Sequence, residues 1–278
     1  MVCASSGAEI FIYLKYSTIM TIDSHAHLEM EAFDGDRDAV LGRAMAAGLT
    51  AIITVGTTIP DCEKAAALAC LHPQLYAAVG IHPHEVKGID AGTYDALRAL
   101  ARQEKVVAIG EIGLDFFYDL SPREVQLQRF AEQLDLAEEL NLPVIIHDRE
   151  AHAETLAILR PRKRRLQGVL HCFSGDTVMA RECLALGFYL SVAGPVTYRK
   201  ADQLRAVARE IPAERLLIET DAPYLAPQPW RGKRNEPAYV VETARYLAEI
   251  RGIAAGELER LTEENARRLF GLGPQFNP

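Results

Sequence analysis

Two histidines one residue apart, His25 and His27, close the stretch Thr21-Ile22-Asp23-Ser24 near the start of the chain. In an extended strand alternate side chains share a face, so both imidazoles leave one strand end in the same direction. Neutral imidazole is the commonest metal ligand among side chains. Later apolar runs end in residues able to hold the same ion: His82, Glu111, His147, His171 and Asp221. Any one of these alone reads as an ordinary core or surface group; their recurrence at run ends does not. Imidazole and carboxylate together suit Zn, Mn, Fe or Ni, or Mg where carboxylate and water dominate. Glu111 lies in Ile109-Gly110-Glu111-Ile112-Gly113, where the glycines let neighbouring backbone come close. A carboxylate there can bind one cation per oxygen, at the roughly 3.5–4 Å separation of two-metal hydrolytic sites. Asp221, in Glu219-Thr220-Asp221-Ala222-Pro223, could ligate a metal and accept a proton from the attacking water.

These residues need a frame that brings run ends together. The 278 residues are 49% hydrophobic and 24% charged, an ordinary globular composition with room for one large domain. Short runs rich in Val and Ile occupy 21–25, 51–56, 76–82, 106–112, 144–147, 169–173, 188–193 and 216–219, which suits strands buried on both faces. Between them lie helical patterns at 39–47, 65–71, 122–140, 180–186 (closing on Gly187) and 237–251. Ser121-Pro122 with Glu124 reads as an N-cap, a first-turn proline and a first-turn acid. Eight β units separated by helices give a single (β/α)8 TIM barrel, an α/β fold whose active centres sit at the C-terminal ends of the strands. Residues 1–19 read as an N-terminal extension outside the core, with Met20 an alternative start and the barrel spanning 20–278. The apolar run at 10–14 is too short for a membrane span and lacks the basic flank of a secretory signal.

The net charge of −8 argues against non-specific nucleic-acid affinity from overall charge. A nucleic-acid substrate stays open, since bound divalent cations and a local basic rim would offset that charge. Cys3, Cys62, Cys70, Cys172 and Cys183 are odd in number, scattered and without a CxxC pair, which suits a reduced, cytoplasmic setting. Cys172 beside His171 lacks a base-and-orienter arrangement and reads as packing. His82 is a candidate contact to a scissile phosphate, with His84 structural, and Arg149 could bind phosphate by a bidentate fork. The basic run 160–165 precedes a strand on the face away from the site and reads as a solvated surface. Trp230, Arg231, Lys233 and Arg234 follow the eighth run on the catalytic side, where one aromatic and three cations could stack a base and hold phosphates.

On these motifs the chain resembles the TatD family of metal-dependent deoxyribonucleases, within the amidohydrolase-like TIM barrels. The resemblance rests on Ile22-Asp23-Ser24-His25-Ala26-His27-Leu28, Gly80-Ile81-His82-Pro83-His84, Gly110-Glu111-Ile112-Gly113-Leu114-Asp115 and the stretches 143–151, 171–175, 217–225 and 265–270, in that order. It implies two divalent metal ions per chain. His25 and His27 would hold one, His147 and His171 the other, with Glu111 bridging; Asp221 would complete the first site and accept the proton. With its HxH pair intact, the chain is similar to the branch that builds a full two-metal centre. Two departures stand outside the ligands: Glu29 where the family has Asp or Asn, and Ala153 followed by Glu154 where an acid usually stands one place earlier. The implied activity is hydrolysis of phosphodiester bonds in single-stranded DNA from the 3′ end by a two-metal-activated water, with no membrane and no obligate protein partner. The alternatives are an amidohydrolase or deacylase acting on an amide or ester, and a binding protein with a vestigial site.

Overall fold

The β-branched runs form the strands their composition demands. The computed structural model describes residues 20–163 and 165–273. Eight parallel strands follow in chain order: β1 (Thr21–Ala26), β2 (Leu49–Val55), β3 (Leu75–Val79), β4 (Val106–Asp115), β5 (Val144–Arg149), β6 (Gly168–Leu170), β7 (Tyr189–Val192) and β8 (Leu216–Ile218). Helices α1 (Arg37–Ala46), α2 (Ile59–Leu71), α3 (Thr93–Ala101), α4 (Arg123–Leu140), α5 (His152–Leu159), α6 (Thr177–Leu186), α7 (Asp202–Glu210) and α8 (Val240–Arg251) cover the outside, and α9 (Ala255–Phe270) follows. This is the expected (β/α)8 barrel. Between β8 and β1 the ladder shrinks to a bridge, Ala26 to Ala222. The proposed extension, residues 1–19, lies outside the described residues. No helix among the described residues is long and apolar enough to cross a membrane.

Alternation along the strands separates two apolar sets. Ile52, Val79, Ile109, Ile146 and Leu190 pack outward on the helices, while Ile22, Ile53, Ala78, Ala108, Ile145, Val169 and Leu217 pack inward. The inner set is continuous with Ala266, Leu269, Phe270 and Leu272 of the α9 region. Asn265 of α9 donates to the Ala213 and Leu216 carbonyls at the start of β8, so α9 closes the N-terminal mouth of the barrel. That leaves the C-terminal mouth for the site.

Of the register shifts between neighbouring strands, two bear on the site. Asp23 pairs with Ile52 and Ala26 with Thr54, so β1 carries one residue more than β2 between them. Ile109 pairs with Val144 and Ile112 with Ile146, so β4 carries one more than β5. The extra residue lets both members of each inserted pair face inward, and bulges re-aim side chains in this way. His25 is in the first pair and Glu111 in the second.

Helix ends follow sequence chemistry in part. Asp176 caps α6, accepting from Met179 N at 2.8 Å, and Gly187 ends it with φ of 101°. The Ser121 cap does not form: Pro122 occupies the N-cap of α4, and the Ser121 hydroxyl instead donates to His84 O at 2.7 Å.

Candidate metal centre

Barrel closure builds the first half of the site. Asp221 N donates to His25 O at 2.9 Å and His27 N to Ala222 O at 2.7 Å, which sets the end of β8 against the end of β1. Buried Asp23 secures this junction, accepting from Thr220 N at 2.9 Å and from the Thr220 hydroxyl. Burial pushes the Asp23 carboxyl up to about 8 despite these bonds. His25 Nε2 and His27 Nε2 face each other at 3.2 Å, with Asp221 Oδ1 at 3.8 and 3.4 Å from them. The far nitrogen of His27 lies 2.8 Å from Val55 O and 3.4 Å from Glu29 Oε1.

Glu111 joins this half to the second. Its Oε2 lies 3.4 Å from His25 Nε2 and 3.6 Å from His27 Nε2. Its Oε1 lies 2.7 Å from His171 Nε2, 2.8 Å from His147 Nδ1 and 3.6 Å from His82 Nε2. The flanking glycines make this approach possible. A Cβ on Gly110 would meet Ile145 Cβ at 2.6 Å, and one on Gly113, whose φ is 140°, would meet His147 O at 2.0 Å. Behind the imidazoles stand carboxylates. Asp115 Oδ2 lies 3.2 Å from His147 Nε2 and 2.9 Å from His84 Nε2. Glu219 Oε1 lies 3.3 Å from His171 Nδ1 and accepts from Cys172 N at 2.6 Å.

The donor set fits divalent cations. Three overlapping groups each bring ligand atoms within 4.8 Å of one another: His25, His27 and Asp221; His25, Glu111 and His171; His82, Glu111 and His147. Burial would raise the Glu111 carboxyl, yet His171, His82 and His25, with the contact from His147, hold it well below the usual carboxylate range. Burial likewise opposes the charged forms of His27 and His171. Asp221 and Glu29 around the first, and Glu111 and Glu219 around the second, nevertheless raise both well above the usual imidazole value. His82 and His25 go the other way, pushed down by burial. Such a cluster is satisfied unevenly by protons and at once by cations bound to imidazole nitrogen and carboxylate oxygen.

The chain matches known proteins over most of its length. Residues 22–271 match the family described as TatD related DNase. The chain belongs to the TatD family. It is 44% identical over 256 residues to an uncharacterized metal-dependent hydrolase, YabD, of Bacillus subtilis, covering 91% of this chain and 100% of that protein. It is 44% identical over 255 residues to the 3′-5′ ssDNA/RNA exonuclease TatD of Cronobacter sakazakii, covering 89% of this chain and 97% of the other. The crystal structure of YJJV, a TatD homolog from Escherichia coli, superposes with a TM-score of 0.86 at 35% identity, covering 91% of this chain and 98% of that one. The protein is therefore a metal-dependent hydrolase of the TatD family.

The structure brings His25, His27, Glu111, His147, His171 and Asp221 into one cluster, with His82 among them rather than beside them. A cavity of about 480 Å³ opens above the cluster, and Arg149 lines it. Trp230 and Arg231 are not among its lining residues. Trp230 stacks on Tyr239 at 4.5 Å, Arg231 lies over Tyr198, and Arg234 pairs with Asp36 at 2.7 Å. His84, expected to be structural, reaches the cavity wall and shares Asp115 with His147. Cys172 packs with its thiol pushed well above the usual value by burial and by Asp221 and Glu219. In the basic run, Arg160 pairs with Glu182 and Arg162 with Asp135.

Sequence reasoning passed over Asp115 and Glu219 as site residues. Both had a signal. Asp115 stands four residues after Glu111, on the same face of an extended strand, and Glu219 stands two before Asp221.

Proposed function

We propose that this TatD family hydrolase cleaves phosphodiester bonds in single-stranded DNA, removing nucleotides from the 3′ end with two divalent cations in the cluster. The observation that carries the reading is the split of Glu111. One carboxylate oxygen faces His25 and His27, and the other faces His147, His171 and His82. A carboxylate so divided matches a bridging ligand between two cation sites. Bound divalent cations would supply an activated water and neutralise charge developing on the phosphoryl oxygens.

The chain's own groups do the remainder. Asp221 is the most open of the central carboxylates, at 13% exposed against 3% for Glu111 and 1% for Asp115. Burial would raise its carboxyl, but His27, His25 and His171 hold it below the usual value, so it is ionised at neutral pH. Its Oδ1 is therefore placed to accept a proton from water entering through the cavity. Asp115 accepts a hydrogen bond from His147 and holds its orientation, while Glu219, 3.3 Å from His171 Nδ1, supplies negative charge behind that ring. Arg149 is the one Lys or Arg lining the cavity among the described residues, and it would hold a substrate phosphate. The exonuclease name of the Cronobacter relative supports the substrate. The four described cysteines, Cys62, Cys70, Cys172 and Cys183, are all free, which supports a cytoplasmic setting.

The test is a gel assay on single-stranded DNA labelled at either end, with Mg²⁺, Mn²⁺ or chelator. The expected result is a ladder shortening from the 3′ end with metal and none with chelator. Turnover of amide or ester substrates with intact DNA would overturn the reading.

A further inference from the structure

The loop after β4 is tied down along its backbone yet leaves two large rings in solvent. Asp115 Oδ1 accepts from Phe117 N at 3.0 Å and from Tyr118 N at 2.8 Å. Gln126 accepts from Asp115 N at 2.9 Å and donates to the Asp115 and Ser121 carbonyls at 3.2 and 2.7 Å. Arg123 packs over the Phe116 ring at 4.5 Å and donates to its carbonyl. Against this fixed backbone, Phe117 is 51% exposed and Tyr118 53% exposed. Burying such rings is the ordinary outcome, so a rigid loop that presents them outward offers a preformed contact surface.

The rings sit beside the metal cluster. Tyr118 lines the cavity and stands edge-on to His84 at 5.5 Å. The Arg149 guanidinium lies 4.2 Å from the Phe117 ring centre and 4.7 Å from that of Tyr118. No side-chain hydrogen bond or ion pair to a described residue engages that guanidinium, in contrast with Arg160, Arg162 and Arg234. Its five N–H donors are thus oriented by the rings and open to a ligand. Across the mouth, in the loop after β8, Tyr224 is 51% exposed and faces His27 at 6.3 Å. In a parallel barrel ordered β1 to β8, the loops after β4 and β8 lie on opposite sides of the C-terminal rim.

We propose that Phe117 and Tyr118, with Arg149, form a stacking subsite for a nucleobase flanking the scissile phosphate, and that this subsite selects unpaired strand ends. The proposal rests on the nuclease reading above. A nucleobase is the occupant whose chemistry matches: a flat π-face for the rings, attached to a phosphate for the guanidinium. A base inside a duplex has both faces covered, and a terminal base is still paired and stacked on one side. Placing it on the rings therefore costs unpairing energy that a splayed, single-stranded end does not incur. The subsite lies away from Trp230, whose indole already stacks on Tyr239 with the two rings 3° from parallel.

The experiment is equilibrium binding of the full, metal-loaded chain to single-stranded oligonucleotides. Each carries a cleavage-resistant phosphorothioate at the last linkage and either 2-aminopurine or an abasic residue at the final or penultimate position. Stacking quenches 2-aminopurine fluorescence, and removal of the base at one of these positions weakens binding about 5- to 150-fold. In the Phe117→Ala/Tyr118→Ala double variant the quench disappears and the two oligonucleotides bind alike, whereas Tyr118→Phe keeps the discrimination. The wild-type comparison stands even if the double variant fails to fold. Equal binding of abasic and intact ends to wild type, in a protein that still cleaves end-labelled DNA, overturns the subsite and leaves the nuclease reading. Failure to bind or cleave DNA at all overturns both.

Discussion

Gly113→Ala tests whether the backbone approach beside Glu111 is a requirement of the site. The added Cβ would lie 2.0 Å from His147 O, and the residue would have to hold a φ of 140°. That φ is a conformation nearly confined to glycine, at a cost of about 1–3 kcal/mol. Relieving the overlap by pushing β5 from β4 is an overpacking event, also about 1–3 kcal/mol. The expected loss is therefore about 2–6 kcal/mol, a large part of the 5–15 kcal/mol typical of a domain. Gly110→Ala meets Ile145 Cβ at 2.6 Å without a positive φ and should show only the packing part, about 1–3 kcal/mol. Gly42→Ala, inside α1 with nothing within 4 Å, should be neutral or stabilise by up to about 1 kcal/mol. Urea unfolding of the three variants, with metal content measured on the same samples, checks the order. A Gly113→Ala protein as stable as wild type and fully loaded with metal would refute the close-approach argument.

Other outcomes follow from the same geometry. Arg149→Ala should flatten the dependence of log affinity on log salt for single-stranded DNA by about 0.7 for each phosphate the side chain neutralises, measured by titration at several salt concentrations. Arg234→Ala should loosen the loop whose next residue, Asn235, holds the Thr220 and Tyr224 carbonyls, and lower the melting temperature. Arg234 holds the Asp36 carboxyl at about 2 against an ordinary 3.8, so this contribution is present above pH 4 and fades as the pH falls from 4 through 2. The difference between wild type and Arg234→Ala should narrow over that window. Chelation should lower the melting temperature of wild type, since an ion present at 100 times its dissociation constant stabilises by about 2.7 kcal/mol.

The barrel was legible because its strands are dense in β-branched residues and most of its helices have clear ends, Gly187 among them. The ligands were legible because they recur toward the C-terminal ends of such runs, although Glu111 and His147 lie inside β4 and β5 and Asp221 lies past β8. The bulges were not. Simple alternation places His25 and His27 on one face, but the inserted residue between Asp23 and Ala26 is what aims His25 inward, and sequence carries no mark of register between distant strands. The same holds for Glu111. His82 lies three residues beyond the end of β3, so its arrival beside Glu111 depends on the path of a loop. Ser121 had the chemistry of a cap but serves the His84 carbonyl, a tertiary demand that outweighs a local preference. The loop after the eighth run carries Trp230 and Arg231 on the catalytic side, and sequence does not reveal that Tyr239 and Tyr198, from other parts of the fold, stack against them.

The claim at the centre is that Glu111 joins two cation sites on which phosphodiester cleavage depends. Counting bound divalent ions per chain by native mass spectrometry, in wild type and in Glu111→Gln, tests it most directly when paired with cleavage of 3′-labelled single-stranded DNA. Gln keeps the size of the side chain and removes the charge facing His171 at 2.7 Å and His25 at 3.4 Å. Two ions and cleavage are expected in wild type, and in the variant an unchanged circular dichroism spectrum, at most one ion and no cleavage. A variant that holds two ions and cleaves at the wild-type rate would contradict the claim.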